Sequence, residues 1–138
     1  MRHRVRRTWF FVLGGALVTI VAASTPRVHA ADVEKGKAVF EQCAACHSLD
    51  GSGDYDGPTL KGVIGRKAGS LEDYRYSAAM KRSDVTWEAG TLDKYVADPQ
   101  ALIPGNRMAF AGISDKTQRD DLVAYLAVAT KDAKSNSP

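Results

Sequence analysis

The sequence contains no apolar run long enough to span a membrane. Its longest uncharged, mostly apolar stretch covers 15 residues, 9–23, whereas a spanning helix needs about 20. Four arginines precede this stretch and P-R-V-H-A follows it, so residues 1–30 have the three parts of a secretory signal peptide. We therefore expect cleavage after Ala30, one domain over residues 31–138, and export to the periplasm. The alternative is an uncleaved N-terminus that anchors the domain to the membrane.

The exported part also lacks a surplus of positive charge. The full chain has 19 Lys and Arg against 16 Asp and Glu, but five of the basic residues lie within the first 30. Their removal leaves 14 basic against 16 acidic residues, a net charge of −2. Because the remaining chain has no basic run and no arginines interleaved with aromatic residues, nucleic-acid binding is not expected.

The alternating pattern of a half-buried strand is missing as well. Helical patterns are predicted from the cap residue Asp32 to the cysteines, at 91–97, and from the cap residue Ser114 to Thr130. The segments between them are rich in glycine and proline, and 101–112 is predicted to be an irregular strap. The fold class is therefore all-α, with few helices and long loops. A small domain with so little regular structure must bury something else to close its core, and a large flat cofactor would serve.

Cysteine and histidine are scarce in the exported part. Only Cys43, Cys46 and His47 remain, within Q-C-A-A-C-H-S at 42–48. A closed zinc site needs four ligands and a thioredoxin-like dithiol needs a strand context, so neither fits well. A plain disulfide would leave His47 without a role. In an exported chain, C-x-x-C-H is typical of covalent haem c, with one thioether to each cysteine and the imidazole of His47 as a ligand to the iron.

The same scarcity limits the second axial ligand of the iron. No further histidine is available, which leaves Met80, Met108, a lysine or an open position. Met80 lies in the helix-like S-A-A-M-K-R, where a methionine usually fills gaps in the core. Met108 lies on the Pro- and Gly-containing strap, which can hold a thioether at a fixed point. Spacing alone leaves the choice open. It also leaves open whether the protein is a two-ligand electron carrier or an open-site peroxidase or gas-binding protein.

Several stretches beyond the cysteines belong to one larger pattern. They are D-V-E-K-G-K-A-V-F at 32–40, G-P-T-L-K-G-V-I-G-R-K-A-G at 57–69, Y-R-Y-S-A-A at 74–79, T-W at 86–87, I-P-G-N-R-M-A-F-A-G-I at 103–113 and R-D-D-L-V-A-Y-L at 119–126. Through them the chain resembles the class I cytochromes c, the mitochondrial-type branch and its bacterial periplasmic relatives. The resemblance implies the cytochrome c fold around one covalently attached haem c.

The resemblance also implies roles for individual residues. Met108 matches the distal ligand of the family, and a His/Met ligand pair raises the haem potential. Pro58 matches the proline whose carbonyl accepts the ring N–H of His47 and thereby orients the ring. The remaining cofactor-binding residues implied are Tyr76 and Trp87 at a haem propionate, Arg66 near its charge, and Tyr95 beside the methionine sulfur. Gly36 and Phe40 on the first helix are expected to meet Leu122 and Tyr125 on the last.

The function implied by the resemblance is that of an electron carrier rather than an enzyme. An exported, monomeric carrier would shuttle single electrons between partners such as a cytochrome bc-type complex, a terminal oxidase, or a periplasmic dehydrogenase or reductase. Three features depart from the family pattern. Met80 stands where asparagine is common, Asn106 replaces a frequent threonine, and the ring of docking lysines is thin.

Overall fold

The computed structural model describes residues 30–53 and 55–131, and within these ranges the regular structure is helical. Five helices follow in order: α1 (Val33–Ala44), α2 (Ala78–Arg82), α3 (Ala89–Ala97), α4 (Pro99–Leu102) and α5 (Lys116–Ala129). The described residues form no strand, only an isolated antiparallel bridge between Lys67 and Thr86. The predicted all-α class with long loops is therefore confirmed. The predicted signal peptide lies outside the described residues except for Ala30, and no described helix is long and apolar enough to cross a membrane.

The first and last helices begin at aspartate caps. As predicted, Asp32 caps α1, and its carboxylate accepts from the backbone N–H groups of Glu34 and Lys35. The predicted cap of the last helix, Ser114, is wrong by one residue. Asp115 holds that position and accepts from the N–H groups of the second and third helical residues, because a carboxylate is the stronger acceptor for these donors. The Ser114 carbonyl instead accepts a hydrogen bond from Arg119.

The middle helices differ from the predicted boundaries. Helix α3 begins two residues earlier than expected, at Ala89, and the hydroxyl of Thr91 accepts from the N–H of Glu88 at 2.8 Å. It ends before Asp98 and Pro99 as predicted. These two residues also start α4, with Asp98 as the cap and Pro99 in the first turn, where its missing N–H costs nothing. The first two residues of the predicted strap are consequently helical.

Helices α1 and α5 cross in close contact at Gly36. A Cβ atom at this position would lie 2.0 Å from the carbonyl oxygen of Asp121 and 2.8 Å from the Cβ of Tyr125. The rings of Phe40 and Tyr125 pack with centroids 5.6 Å apart, and Leu122 is almost fully buried beside them. The Asp32 N–H donates to the buried carboxylate of Asp121 at 2.7 Å, which ties the start of α1 to α5. The expected contact between the first and last helices is thus present.

The apolar core consists of two clusters. One is centred on the loops and α3, and its buried members are Val63, Ala68, Met80, Trp87, Leu92, Tyr95, Ile103 and Val123. The other joins α1, α3 and α5 through Phe40, Val96, Ile113, Leu122 and Leu126. Leu60 packs against both clusters. Members of both also line one cavity, so this cavity lies between parts of the two clusters.

The α1–α5 crossing leads to a test of stability. Gly36→Ala should lower the free energy of unfolding of the haem-loaded protein by about 1 to 3 kcal/mol, because the added methyl group overlaps a backbone carbonyl that cannot move freely. Guanidinium chloride denaturation measures the change. The matched control is Gly90→Ala in α3, where no atom lies within 4 Å of the new Cβ. Its stability should stay the same or rise by up to about 1 kcal/mol. Equal losses in both variants would contradict the close crossing.

Candidate functional site

The turn that ends α1 brings the two cysteines and the histidine together. The N–H groups of Cys46 and His47 both donate to the Cys43 carbonyl, at 3.1 and 3.0 Å. Both thiols are free: Cys46 is exposed and Cys43 is partly buried. Burial, reinforced by the neighbouring Cys46, raises the pKa of the Cys43 thiol. In the part of the chain that the structure describes, no three Cys, His, Asp or Glu side chains form a metal-binding group.

These three residues form part of the wall of a cavity of about 360 Å³. Its lining is mainly apolar and comes from α1, α2, α3, α5 and the loops between them. All nine residues predicted for the site line this one cavity: Cys43, Cys46, His47, Pro58, Arg66, Tyr76, Trp87, Tyr95 and Met108. Residues separated by up to 65 positions in the sequence are therefore neighbours in the fold.

His47 is held in one orientation by the loop that faces it. Its Nδ1 lies 2.7 Å from the Pro58 carbonyl oxygen, so Nδ1 carries the proton and donates it, and Nε2 keeps its lone pair. Burial lowers the pKa of His47, although the bond to Pro58 opposes this effect. The ring is therefore neutral at neutral pH. A neutral imidazole with a free Nε2 is the form that binds a metal ion.

Gly57 allows this loop to approach the histidine so closely. Its N–H donates to the Cys46 carbonyl at 2.8 Å, and a Cβ atom would lie 2.6 Å from Cε1 of the His47 ring. No other residue type fits here without moving the ring. In the sequence, Gly57 is only the first residue of G-P-T-L-K-G-V-I-G-R-K-A-G at 57–69. Nothing in that stretch indicates that the ring of His47 occupies the space of the missing side chain.

Two methionines border the cavity from different elements. Met108 is partly buried and comes from the strap, whereas Met80 is buried and comes from α2. The expectation that Met80 lies near the cofactor site is met, since it lines the same cavity. Both methionines also pack against the apolar cluster around Trp87 and Tyr95.

The aromatic side of the cavity presents two polar atoms with no protein partner. Trp87 and Tyr95 are buried and packed together, with ring centroids 4.9 Å apart. Among the described residues, no hydrogen bond reaches the Trp87 indole N–H or the Tyr95 hydroxyl, yet no fully enclosed polar atom lacks a partner. Both residues line the cavity, so these donors are available to a group bound there. Buried Tyr and Trp normally satisfy such groups, so a cavity occupant with acceptor atoms fits. Burial raises the pKa of Tyr95 to about 12, which keeps its hydroxyl protonated.

Arg66 contributes a fixed positive charge to the same wall. Its guanidinium donates to the carbonyls of Lys61 at 2.8 Å and Thr59 at 2.7 Å, which anchor it to the loop after Pro58. Its charge lowers the pKa of Tyr76, although burial outweighs it and the pKa of that hydroxyl is raised overall. A buried carboxylate needs a nearby cation or hydrogen-bond donors, and this wall supplies both.

The lining as a whole fits a haem group. Apolar walls match the ring, two thiols match its vinyl groups, and the Nε2 of His47 matches the iron. The tyrosine, tryptophan and arginine groups match its carboxylates. The role of Asn106 was missed at the level of sequence, where it was noted only as a departure from the family pattern. Asn106 is buried, and its side chain makes three hydrogen bonds next to Met108 on the strap.

Comparisons with known proteins agree with this site. The family model for cytochrome c matches residues 33–129. A cytochrome c2 from Rhodoplanes tepidamans is 44% identical over 104 residues, which cover 75% of this chain and 97% of the relative. A cytochrome c-550 from Bradyrhizobium diazoefficiens is 44% identical over 100 residues, covering 72% and 74%. The structure of cytochrome cH from Methylobacterium extorquens is similar with a TM-score of 0.65 and 44% identity, covering 70% of this chain and 97% of that one.

The matched region contains the C-x-x-C-H turn, the cavity and the strap. The protein therefore belongs to the cytochrome c family, and one covalently attached haem c is its cofactor.

Proposed function

We propose that this single-haem electron carrier is exported and uses His47 and Met108 as the axial ligands of its iron. The observation that carries the proposal is a single cavity whose lining combines the paired thiols, an oriented neutral imidazole and a methionine on a braced strap. When bound, the haem supplies an iron that alternates between the ferric and ferrous states. The residues around it determine which state is favoured and how little must move during the exchange.

On the proximal side, the chain holds its ligand rigidly. Cys43, Cys46 and His47 lie on one helix end, so two thioether bonds would fix the haem relative to the imidazole. The Pro58 carbonyl accepts from Nδ1, which sets the ring plane and increases the basicity of the ligating nitrogen. Gly57 lets this carbonyl approach. A ligand that is already oriented in the protein needs little rearrangement when the iron changes charge.

On the distal side, we assign the ligand to Met108 rather than Met80. Met80 is a middle residue of the short helix α2, and its carbonyl accepts from Ser83 N–H while its side chain fills the core cluster. Met108 lies on the irregular strap, whose backbone is held by side-chain amides. A thioether sulfur is a soft ligand that favours ferrous iron, so the carrier should work at a positive potential.

The polar groups of the cavity would bind the ends of the cofactor. We assign the indole N–H of Trp87 and the hydroxyl of Tyr76 to a propionate, with the anchored guanidinium of Arg66 offsetting its charge. The Tyr95 hydroxyl, which has no protein partner among the described residues, is assigned to the space beside the Met108 sulfur. These donors would satisfy the buried carboxylate that the haem brings into the core.

We further propose that the carrier works in the periplasm. The bacterial relatives described above are named cytochrome c2 and c-550, and the N-terminal 30 residues have the pattern of a secretory signal. Suitable partners are a cytochrome bc-type complex, a terminal oxidase, or a periplasmic dehydrogenase or reductase. Such encounters use small, short-lived interfaces, which suit a monomeric carrier. With a net charge of −2 after cleavage, the carrier would not rely on a strongly basic docking face.

The assignment of the distal ligand can be tested with two methionine variants. Met108→Ala should abolish the weak methionine–iron charge-transfer band of the ferric protein. It should also speed binding of carbon monoxide to the ferrous protein by about 10- to 1,000-fold, the inverse of a minor open population of 0.1–10%. Met80→Leu is the matched control because it keeps the volume of a buried methionine. It should retain the charge-transfer band, and its carbon monoxide binding should remain as slow as that of the unaltered protein.

The opposite pattern, with the band lost in Met80→Leu and kept in Met108→Ala, would show that Met80 on α2 is the distal ligand. Fast carbon monoxide binding by the unaltered protein, with no band, would instead support an open-site peroxidase or gas-binding protein.

Export is tested by the mass of the protein purified from a periplasmic extract. We expect a chain that begins at Ala31 and carries one haem. Ala30→Phe should block cleavage, because the residue before the cut must be small, and should leave the chain in the membrane fraction. A native chain that retains Met1 and sediments with membranes would show that residues 9–23 act as an anchor.

A further inference from the structure

We propose that Asn106 is the positioning residue that keeps Met108 on the iron, with Gln100 as its support. The inference rests on the proposed function, since it takes Met108 as the distal ligand. Asn106 touches neither the thiols nor His47, and it is not among the residues that line the cavity. Its effect would be exerted through the backbone of the strap.

The side chain of Asn106 links the ligand residue to the preceding helix. Asn106 is 6% exposed, so its amide is shielded from water. Its Oδ1 accepts from the Met108 N–H at 2.9 Å, and its Nδ2 donates to the carbonyls of Pro99 at 2.8 Å and Ile103 at 2.9 Å. One amide group therefore connects the first and last parts of a ten-residue segment, 99–108.

Gln100 braces the same segment from α4. Its Nε2 donates to the Asn106 carbonyl at 3.1 Å, and its Oε1 accepts from the Gly105 N–H at 3.1 Å. Between these contacts, the Asn106 N–H donates to the Ile103 carbonyl across a tight turn at 3.1 Å. Gly105 has a φ of 84° in this turn, a conformation that favours glycine. The strap is irregular in shape, but the N–H groups of Gly105, Asn106 and Met108 all have hydrogen-bond partners.

The chemistry of the amide explains why asparagine suits this position. An amide has an acceptor oxygen and two donor hydrogens that point in different directions. The threonine common at this position in the family offers one short hydroxyl. That hydroxyl could accept from the N–H two residues later, but a single donor cannot reach two carbonyls. Asparagine therefore joins Met108 to α4, a connection that a hydroxyl cannot make in full.

This connection should control how often Met108 leaves the iron. Dissociation of the sulfur requires the strap to move, and movement at Met108 breaks or strains the bond to Oδ1. Each hydrogen bond that is removed raises the population of the open strap. Carbon monoxide binds ferrous haem only in that open state, so its apparent association rate reports the open population.

The test compares the unaltered holoprotein with Asn106→Ala, Asn106→Thr and Met108→Ala. We expect carbon monoxide association with the ferrous Asn106→Ala protein to be about tenfold faster than with the unaltered protein, because the amide contacts are lost. The association rate of Asn106→Thr should lie between those of Asn106→Ala and the unaltered protein, since threonine restores only the acceptor for the Met108 N–H. Met108→Ala should give the fastest association rate of the series. Amide hydrogen exchange at Met108 should be faster in Asn106→Ala as well.

The matched control is Thr130→Val in the last turn of α5. Thr130 is also a buried polar residue, and its hydroxyl donates to the Leu126 carbonyl at 2.7 Å, but it does not line the cavity. Its substitution should lower overall stability while leaving carbon monoxide binding and the charge-transfer band unchanged. If Thr130→Val raises the association rate as much as Asn106→Ala does, the effect is general destabilisation and the positioning role is overturned.

The outcomes separate this inference from the proposal on which it rests. If the unaltered protein shows the band and Asn106→Ala leaves both the band and the association rate unchanged, only the positioning role fails. If the unaltered protein lacks the band, Met108 is not the ligand and both fail. Faster carbon monoxide association in Asn106→Ala, an intermediate rate in Asn106→Thr and an unchanged rate in Thr130→Val would support both the positioning role of Asn106 and Met108 as the ligand.

Discussion

The constraint on which the rest of the structure depends is a core that does not close on itself. The clusters around Trp87 and around Leu122 are joined by Leu60, and both expose apolar side chains to one cavity. Apolar surface left facing water carries a large free-energy cost, so the cavity must be filled for the domain to be stable. The sparse helices and long loops follow from this requirement. They are arranged around the cofactor, and the helices pack directly on one another at the α1–α5 crossing and where α3 meets α4 and α5.

At the α1–α5 crossing, the two helices approach each other closely. Gly36 lets the α1 backbone lie against Asp121, and Phe40 packs on Tyr125. It fixes the direction of α1, and the end of α1 carries the cysteines and His47. A contact made far from the cysteines therefore determines where His47, the proposed proximal ligand, lies. Gly36 therefore influences the site although it makes no contact with the cofactor residues, because it allows α1 and α5 to cross closely.

The sequence was sufficient for the features that depend on spacing and much less so for those that depend on backbone partners. C-A-A-C-H, the cap at Asp32 and the apolar stripe of α5 follow local rules, and all nine predicted site residues line one cavity. The error at Ser114 arose because two adjacent residues, Ser114 and Asp115, can both cap a helix. The four-residue helix α4 was missed because a proline that ends one helix can also begin the next.

Asn106 and Gly57 show the other limit of sequence reasoning. The partners of Asn106 are two carbonyls and an N–H, which no side-chain pattern records. Gly57 is needed because the His47 ring occupies the space that a side chain at position 57 would fill. In each case the contacts involve backbone atoms near a proposed ligand, and only the folded geometry brings the partners together. The family pattern could indicate that the positions matter, but not by which contact.

The two sides of the cavity are held by different kinds of interaction, and this asymmetry bears on function. On the proximal side, the proposed ligand His47 follows a helix end, its ring is hydrogen-bonded to Pro58, and the neighbouring thiols would form covalent bonds to the cofactor. On the distal side, Met108 depends on the amides of Asn106 and Gln100, each bond contributing only about 1 kcal/mol. Any fluctuation that exposes the iron should therefore occur on the distal side. An electron carrier needs that side closed, and the buried amide of Asn106 shields its own bonds from competition by water, which is why a few weak interactions can suffice.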